Sequence, residues 1–524
     1  MTRDAPNVLL ITADQWRADC LSAVGHPLVE TRALDVLASE GMLFRNHFAQ
    51  PSPCGPSRAS LLSEMYLMNH RSVYNGTPLD ARFANLAREV RAAGLDAVLI
   101  GYTDTAVDLR HHAVDDPALT TYASVLPGFR QLIPGSELHY AWGRDLARKG
   151  YRLPPRGIGA DAFHEWFRSA AVPGGGPTFA PATYPAEDND TAFTINTAIE
   201  FVRHPERRPW FLHTSLLRPH PPFLAPAPYN AMYDADDVPS FVTVGDREAE
   251  AAQHPFVAYM MRHHLHKKLL TAELHPDDRA ARHQLRATYY YLMREVDDNL
   301  GRLFAALRET GDYENTLIIF TTDHGEDMCD HWMLGKLSYF DQSFHIPLII
   351  RPPGSGSQGR RGHRIEAFTE SVDVMPTILE ACGAAVPLQC DGFALGDFLA
   401  GTEPPAWRDA AVWEMDFHEI GSGAPEHEIG MPLDLCCFAA IRDAAYKYVH
   451  FPSLPAAFYD LAADPGERRN LADDPRHATI MLAYAQKLLS RRMAHAERSL
   501  TGIQLTPHGP IERPRTDRLE PGMS

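Results

Sequence analysis

The segment Pro53-Cys54-Gly55-Pro56-Ser57-Arg58 runs into the helix-like stretch Ala59-Ser60-Leu61-Leu62-Ser63-Glu64-Met65. A helix opening there points free N–H groups at an anion. Arg58, one helical turn beyond Cys54, adds a guanidinium that can hold the anion with planar donors. The same six residues also suit a buried structural cysteine ahead of a proline-initiated helix, the common fate of a lone thiol. This segment leaves both readings open, so the decision falls to the rest of the chain.

A second group of residues has the character of a metal site. Asp14, Asp323 and His324 are hard or borderline ligands, and Gln15 can add an amide oxygen. Oxygen-rich ligation with one imidazole suits Mn²⁺ well and Ca²⁺ less well. A divalent ion there would polarise an ester oxygen. Taken singly, Asp14 also fits a helix N-cap after a strand, and Asp323-His324-Gly325 fits an ordinary turn. In Asp330-His331-Trp332-Met333-Leu334-Gly335-Lys336, Lys336 is a candidate cation for a transferred group, with His331 near it. The other reading is a solvated lysine. His220, in Arg218-Pro219-His220-Pro221-Pro222, can protonate a leaving oxygen or simply pack on its prolines. Asn75 and Tyr102 are candidate hydrogen-bonding groups to a substrate, or a turn residue and a packed aromatic.

These residues need a scaffold that brings distant segments together. Asn7 to Ala13 is a continuous apolar run ending at Asp14-Gln15. Ala97 to Gly101 ends at Tyr102-Thr103-Asp104, Trp210 to Thr214 leads to Arg218-Pro219-His220, and Leu317 to Thr322 ends at Asp323-His324-Gly325-Glu326. Pro347 to Arg351 is a further run. Continuous apolar runs mark strands buried on both faces. Helical patterns lie between them, from Thr31 to Gly41, Phe83 to Gly94, Arg279 to Thr310 and Val372 to Cys382. The alternation predicts an α/β fold with a doubly wound, mostly parallel sheet. The polar residues fall at the carboxyl ends of its strands, where open sheets of this kind place their sites.

This catalytic α/β unit is expected to span 1–404, with insertions at about 105–190 and 221–275 as candidate lids or oligomer contacts. From about 405 the pattern turns to short alternating strands and one helix, a small α+β subdomain over 405–498 with an antiparallel sheet. Residues 499–524 carry four prolines and no period, which reads as an extended arm that is either disordered or wrapped on a neighbouring subunit.

Composition narrows the function classes. The formal net charge of -18 argues against nucleic acid or an anionic membrane as partner, and requires a local positive site to draw in an anion. No stretch approaches the roughly 20 apolar residues of a membrane span. The start shows no signal-peptide pattern, so a cytoplasmic location is expected. The seven cysteines are scattered without paired spacing, which argues against a disulfide framework.

The pieces Asn7 to Asp14, Cys54-Gly55-Pro56-Ser57-Arg58, Thr322-Asp323-His324-Gly325-Glu326, Gly335-Lys336 and Phe458-Tyr459-Asp460-Leu461…Asp464-Pro465…Glu467…Asn470-Leu471 occur in an order that resembles the sulfatase family of the alkaline phosphatase superfamily. Within it, Gln15 after Asp14, His324 after Asp323 and the ending after Ser499-Leu500-Thr501-Gly502 look most similar to bacterial phosphonate monoester hydrolases. The resemblance implies that Cys54, in Cys-x-Pro-x-Arg, is oxidised to formylglycine by a maturation enzyme. Its hydrated aldehyde carries two hydroxyls, one to attack sulfur or phosphorus and one whose proton loss regenerates the aldehyde and expels the anion.

It further implies that Asp14, Gln15, the modified Cys54, Asp323 and His324 bind one divalent metal ion. Arg58, Asn75, Tyr102, His220 and Lys336 would then surround the transferred group, and the assembly would be a homotetramer. The activity implied is hydrolysis of phosphonate monoesters, phosphodiesters and sulfate monoesters. The alternatives are a dedicated arylsulfatase, a phosphomutase-like enzyme, which would normally carry Ser or Thr as nucleophile, or a binding protein that kept the fold. One position departs from the resemblance: Asp104 stands where the related enzymes have a small hydroxyl residue. A carboxylate there repels an anion unless it is protonated, paired or met by a cationic substituent.

Overall fold

The computed structural model describes residues 5–133, 138–264, 277–354, 361–497 and 499–512. The main sheet has eight strands: β1 (Asn7–Ala13), β2 (Met42–Phe48), β3 (Asp96–Ile100), β4 (Arg130–Gln131), β5 (Trp210–Leu216), β6 (Thr316–Thr321), β7 (His345–Arg351) and β8 (His363–Glu370). Their order is β4-β3-β5-β1-β6-β7-β2-β8. All pairings are parallel except those of β7 with β6 and β2. The fold is the mixed α/β, mostly parallel architecture that the strand–helix alternation predicts.

The apolar run of β1 is buried throughout because both of its faces are covered. Leu9, Ile11 and Ala13 pack with the helices Arg32–Glu40, Asp190–Arg203 and Arg279–Glu309. Val8 and Leu10 face the opposite layer, with Ala59, Leu61 and Leu62 of the helix Cys54–Ser63, Leu86 and Val90 of Leu86–Ala92, and Ile378 of Val374–Ala381. This is the sandwich that a doubly wound sheet requires.

The second sheet is antiparallel, in the order β12-β11-β10-β9. Its strands are β9 (Ala411–Asp416), β10 (Cys437–Arg442), β11 (Tyr446–His450) and β12 (Ala457–Asp460). One face takes Leu488 from the helix Ala478–Ala494. The other, carrying Trp413, Phe438 and Tyr459, shares a core with Phe48, Phe256 and Phe344. Within the 105–190 stretch, Trp142, Phe163, Phe167 and Tyr184 form a small cluster with Leu224. Part of the 221–275 stretch lies outside the described residues. Residues 503–506 and 509–512 pair as a hairpin, β13 and β14, that joins neither sheet; the end of the expected arm, 513–524, lies outside the described residues. Among the described residues no helix is long and apolar enough to cross a membrane.

The topology gathers the candidate residues along one edge of the main sheet. In the register Thr12 stands beside Ser215 on β5 and Thr321 on β6. Asp14 and Asp323 therefore leave neighbouring strands at the same level. The helix carrying Cys54 follows the carboxyl end of β2, and β7 enters from that edge after the loop that carries Lys336.

Candidate active site

Cys54 is the first residue of its helix and is buried. Asp14, Cys54, Asp323 and His324 each offer one ligand atom, all within 4.8 Å of one another. Cys54 Sγ lies 3.2 Å from His324 Nε2 and 3.0 Å from Lys336 Nζ. The His324 Nδ1–H donates to the Gly325 carbonyl at 3.0 Å, which turns the Nε2 lone pair inward as a metal ligand needs.

Arg58 is buried and ties the carboxylates together. Its Nε donates to Asp323 Oδ2 at 2.9 Å, one terminal nitrogen to Asp14 Oδ2 at 3.0 Å and the other to Ser215 Oγ at 2.8 Å. The guanidinium lies over the Tyr102 ring at 4.3 Å, and the Tyr102 hydroxyl donates to Asp14 Oδ2 at 2.8 Å. The resemblance implies that both surround the transferred group; in the structure they also supply donors to Asp14 and Asp323, two carboxylates buried side by side that need compensation.

Gln15 adopts a left-handed backbone, φ 71°, just after Asp14. Its Oε1 accepts from Lys336 Nζ at 2.8 Å and its Nε2 donates to Glu326. The amide thus links Lys336 to a carboxylate behind it. Asn75 Oδ1 accepts the Gly55 N–H at 2.8 Å. A Cβ on Gly55 would come within 3.0 Å of that oxygen and 3.1 Å of the Asp104 carbonyl, so a larger residue would press both segments back from Cys54 by a few tenths of an ångström. His220 donates from Nδ1 to the Pro221 carbonyl at 2.7 Å, leaving Nε2 as its reactive atom.

His331, expected near Lys336 as a group beside the substrate, is engaged with other partners in the structure. Left-handed backbone at Cys329, His331 and Trp332 turns the chain between the two. The His331 ring stacks on Phe340 at 3.6 Å and pairs through Nδ1 with Glu250 at 2.9 Å.

The electrostatics follow from burial and crowding. Burial alone would raise the Asp14 carboxyl, but His220, Lys336, Arg58 and His324 outweigh it and hold it well below the usual carboxylate range. Burial, then Asp14, pushes the Cys54 thiol up. An unmodified thiol there stays protonated and makes a poor nucleophile. Burial opposes the Lys336 charge, yet Cys54, Asp14 and Asp323 win and raise its pKa. His220 is pushed down to about 4 by burial and then by Lys336.

Three participants were missed in the sequence. Ser215 shows itself only through the register of β5. Glu326 stands in the quoted Asp323-His324-Gly325-Glu326; buried and pushed up to about 7 by burial, it also accepts the Met328 N–H at 2.8 Å. Arg218 stands in the quoted Arg218-Pro219-His220. It donates to the carbonyls of His220 at 3.1 Å and Pro222 at 2.6 Å, and is itself keyed by Asp190 at 3.2 Å and His164 at 3.0 Å.

A sulfatase family model matches residues 6–384, and a model of the C-terminal region of N-sulphoglucosamine sulphohydrolase matches residues 329–494. The chain is 43% identical to the multifunctional alkaline phosphatase superfamily protein PehA of Trinickia caryophylli, over 97% of this chain and 99% of that protein. It is 27% identical to an arylsulfatase of Clostridium perfringens, over 95% of this chain and 96% of that one. Among solved structures, the phosphonate monoester hydrolase of Agrobacterium radiobacter superposes with a TM-score of 0.89 at 43% identity, covering 97% of this chain and 100% of that one. The phosphonate monoester hydrolase of Silicibacter pomeroyi gives 0.90 at 38% identity, covering 98% and 100%. With a buried Asp–Cys–Asp–His group at the sheet edge and likeness along nearly its full length, this chain belongs to the sulfatase family and is a hydrolase of that family.

Proposed function

We propose that the protein hydrolyses phosphonate monoesters, phosphodiesters and sulfate monoesters, with formylglycine made from Cys54 as nucleophile and one divalent ion, Mn²⁺ in preference to Ca²⁺, beside it. The observation that carries this reading is the buried set Asp14, Cys54, Asp323 and His324, with ligand atoms within 4.8 Å of one another. The donors fit an ion: two carboxylates, an imidazole presenting Nε2, and one further atom from position 54. Gln15 Oε1 stands ready as an additional oxygen, now engaged by Lys336. When bound, the ion would polarise the ester and lower the pKa of the neighbouring hydrate. Oxidation to the aldehyde replaces a thiol that burial keeps protonated with a hydrated carbon able both to attack and to expel the anion.

The chain's own groups do the rest. Arg58 and Tyr102 fix Asp14 and Asp323 so that the carboxylates need no rearrangement as charge develops. Lys336, 3.0 Å from the position 54 side chain, neutralises charge on the transferred group. His220 presents Nε2 as general acid to the departing oxygen; the anionic ester beside it favours the imidazolium. The similarity to phosphonate monoester hydrolases over the whole chain supports the same substrate class here. A homotetramer accords with the exposed Leu482, Leu489, Met493, Leu505 and Ile511 of the last helix and hairpin.

The deciding measurement is the mass of the Cys54 peptide from active protein, alongside kcat/KM for aryl phosphonate, phosphodiester and sulfate esters. A formylglycine mass and turnover of all three are expected. A plain cysteine mass in fully active protein would overturn the mechanism, and turnover of sulfate esters alone would reassign the enzyme as a dedicated arylsulfatase.

A further inference from the structure

Gln15 follows Asp14 directly, and every polar group it owns is engaged. Tyr289 donates its hydroxyl to the Gln15 carbonyl at 2.6 Å, and the Gln15 N–H donates to Asp323 Oδ1 at 3.2 Å, so its left-handed backbone is held from both sides. On the side chain, Oε1 accepts from Lys336 Nζ at 2.8 Å and Nε2 donates to Glu326 Oε2. An ammonium offers only donors, so the atom that meets Lys336 must be the amide oxygen. The amide nitrogen then needs an acceptor on its other side, and Glu326 provides it.

Glu326 is fully buried, and its other oxygen is committed to the backbone. Oε1 accepts the Met328 N–H at 2.8 Å and the Gly335 N–H at 2.5 Å. Gly335 precedes Lys336 and has a left-handed φ of 97°. The Glu326 N–H donates to the Gln342 carbonyl at 2.9 Å, which fixes the carboxylate from its own backbone. One oxygen of Glu326 thus holds the turn that delivers Lys336. The other selects which end of the Gln15 amide faces Lys336 and, with it, Cys54, 3.0 Å from the same ammonium. The choice matters, because an amide oxygen is a ligand for a hard cation and an amide NH₂ is not.

We propose that Glu326 is a positioning residue for the reaction: acting through Gln15, it sets Oε1 and not Nε2 on the side of Lys336 and the metal-ligand set, and so governs how tightly the site holds its ion. This rests on the reading of Asp14, Gln15, Cys54, Asp323 and His324 as a divalent-ion site. Glu326 itself touches neither the ion nor the ester.

The substitution Glu326→Gln isolates this role. Its amide oxygen can take over the two backbone N–H groups, which leaves an NH₂ where Oε2 stood, donor against donor at Gln15. Mn²⁺ dissociation constants are measured by calorimetry on the metal-stripped full chain, for Glu326→Gln in the wild type and in a Gln15→Met background. Methionine keeps the length of the side chain and removes the amide. Loss of a negative charge weakens cation binding in both backgrounds alike, whereas a turned amide weakens it only where Gln15 is present. The expected result is a Kd raised about 10–100-fold in the wild type and only a few-fold in Gln15→Met. Equal factors in the two backgrounds, unity included, would overturn the proposal. Should Glu326→Gln fail to fold, the pair Gln15→Glu with Glu326→Gln sets one donor against one acceptor again; it is expected to fold and bind Mn²⁺, and its failure to do so would overturn the proposal. A wild type that binds no Mn²⁺ would instead overturn the reading of the whole site.

Discussion

Arg58 and Asp323 are joined by a 2.9 Å contact from Nε to Oδ2, and the same guanidinium reaches Asp14 across the sheet edge. One cation on a helix therefore holds the two carboxylates that leave β1 and β6. Replacing Arg58 by Met would strand two buried charges, a change that typically costs about 3–5 kcal/mol. A divalent ion supplies the missing positive charge, so Mn²⁺ should return part of the loss, although the disordered ligands should bind it about 10–100-fold more weakly. Urea unfolding with and without Mn²⁺ checks both. A variant as stable as wild type without metal would show that Arg58 is no clamp.

Arg218 plays a comparable part for His220. Its guanidinium holds the backbone on both sides of Pro221, while His220 Nδ1 holds the Pro221 carbonyl itself. Lysine in its place keeps the charge but loses the planar set of donors. Arg218→Lys should lower kcat by about tenfold for esters of poor leaving groups and much less for 4-nitrophenyl esters, since only the former need a proton on the departing oxygen. An equal loss for both classes would mean that Arg218 supports the fold and not the acid.

Much of this arrangement was legible in the sequence because Asp14, Asp323 and His324 follow continuous apolar runs, those of β1 and β6. β2 and β8 carried no such signal. β2 interrupts its apolar residues with Arg45 and Asn46, where the register with its neighbours shifts, and β8 is a sheet edge whose first half is polar. Residue chemistry pointed Arg58 and Tyr102 at an anionic substrate and did not show that both also bind the carboxylate of Asp14. Their partners Asp14 and Asp323 stand far off in the chain, and only the fold makes them the nearest charges. The partners of His331 were not legible, because nearness to Lys336 in sequence says nothing of the left-handed turn between them.

Lys447 shows how the small sheet reaches the site. Fully buried on β11, it donates to the Tyr339 carbonyl and to Asp341 Oδ1, both at 3.1 Å, and pairs with Glu467. Glu467 Oε2 in turn accepts the Asp341 N–H at 3.0 Å. These contacts anchor the far side of the loop that carries Lys336. Lys447→Met should cost about 3–5 kcal/mol by leaving the buried Glu467 without its cation, while Asp341 keeps Arg442. It should also lower kcat/KM, with Lys336 less firmly held. Stability lost with kcat/KM intact in the folded fraction would separate the sheet from the site.

Glu295, buried on the helix Arg279–Glu309, gives a pH signature that can be isolated. Its Oε1 accepts from Asn299 Nδ2 at 2.6 Å. Burial, which its hydrogen bonds offset only in part, pushes its pKa up to about 8 from an ordinary value of 4.5. Between those values the folded protein binds a proton that the unfolded chain has released. Stability must therefore fall as pH rises through that window, by about 1.4 kcal/mol per pH unit at most from this group. Glutamine keeps the shape and remains neutral throughout. The unfolding free energy of Glu295→Gln, measured relative to wild type in urea, should thus climb from pH 5 to pH 8, while contributions from all other groups cancel in the difference. A difference that stays flat across that range would mean that Glu295 is already ionised in the folded protein near pH 5, with its charge compensated by neighbours.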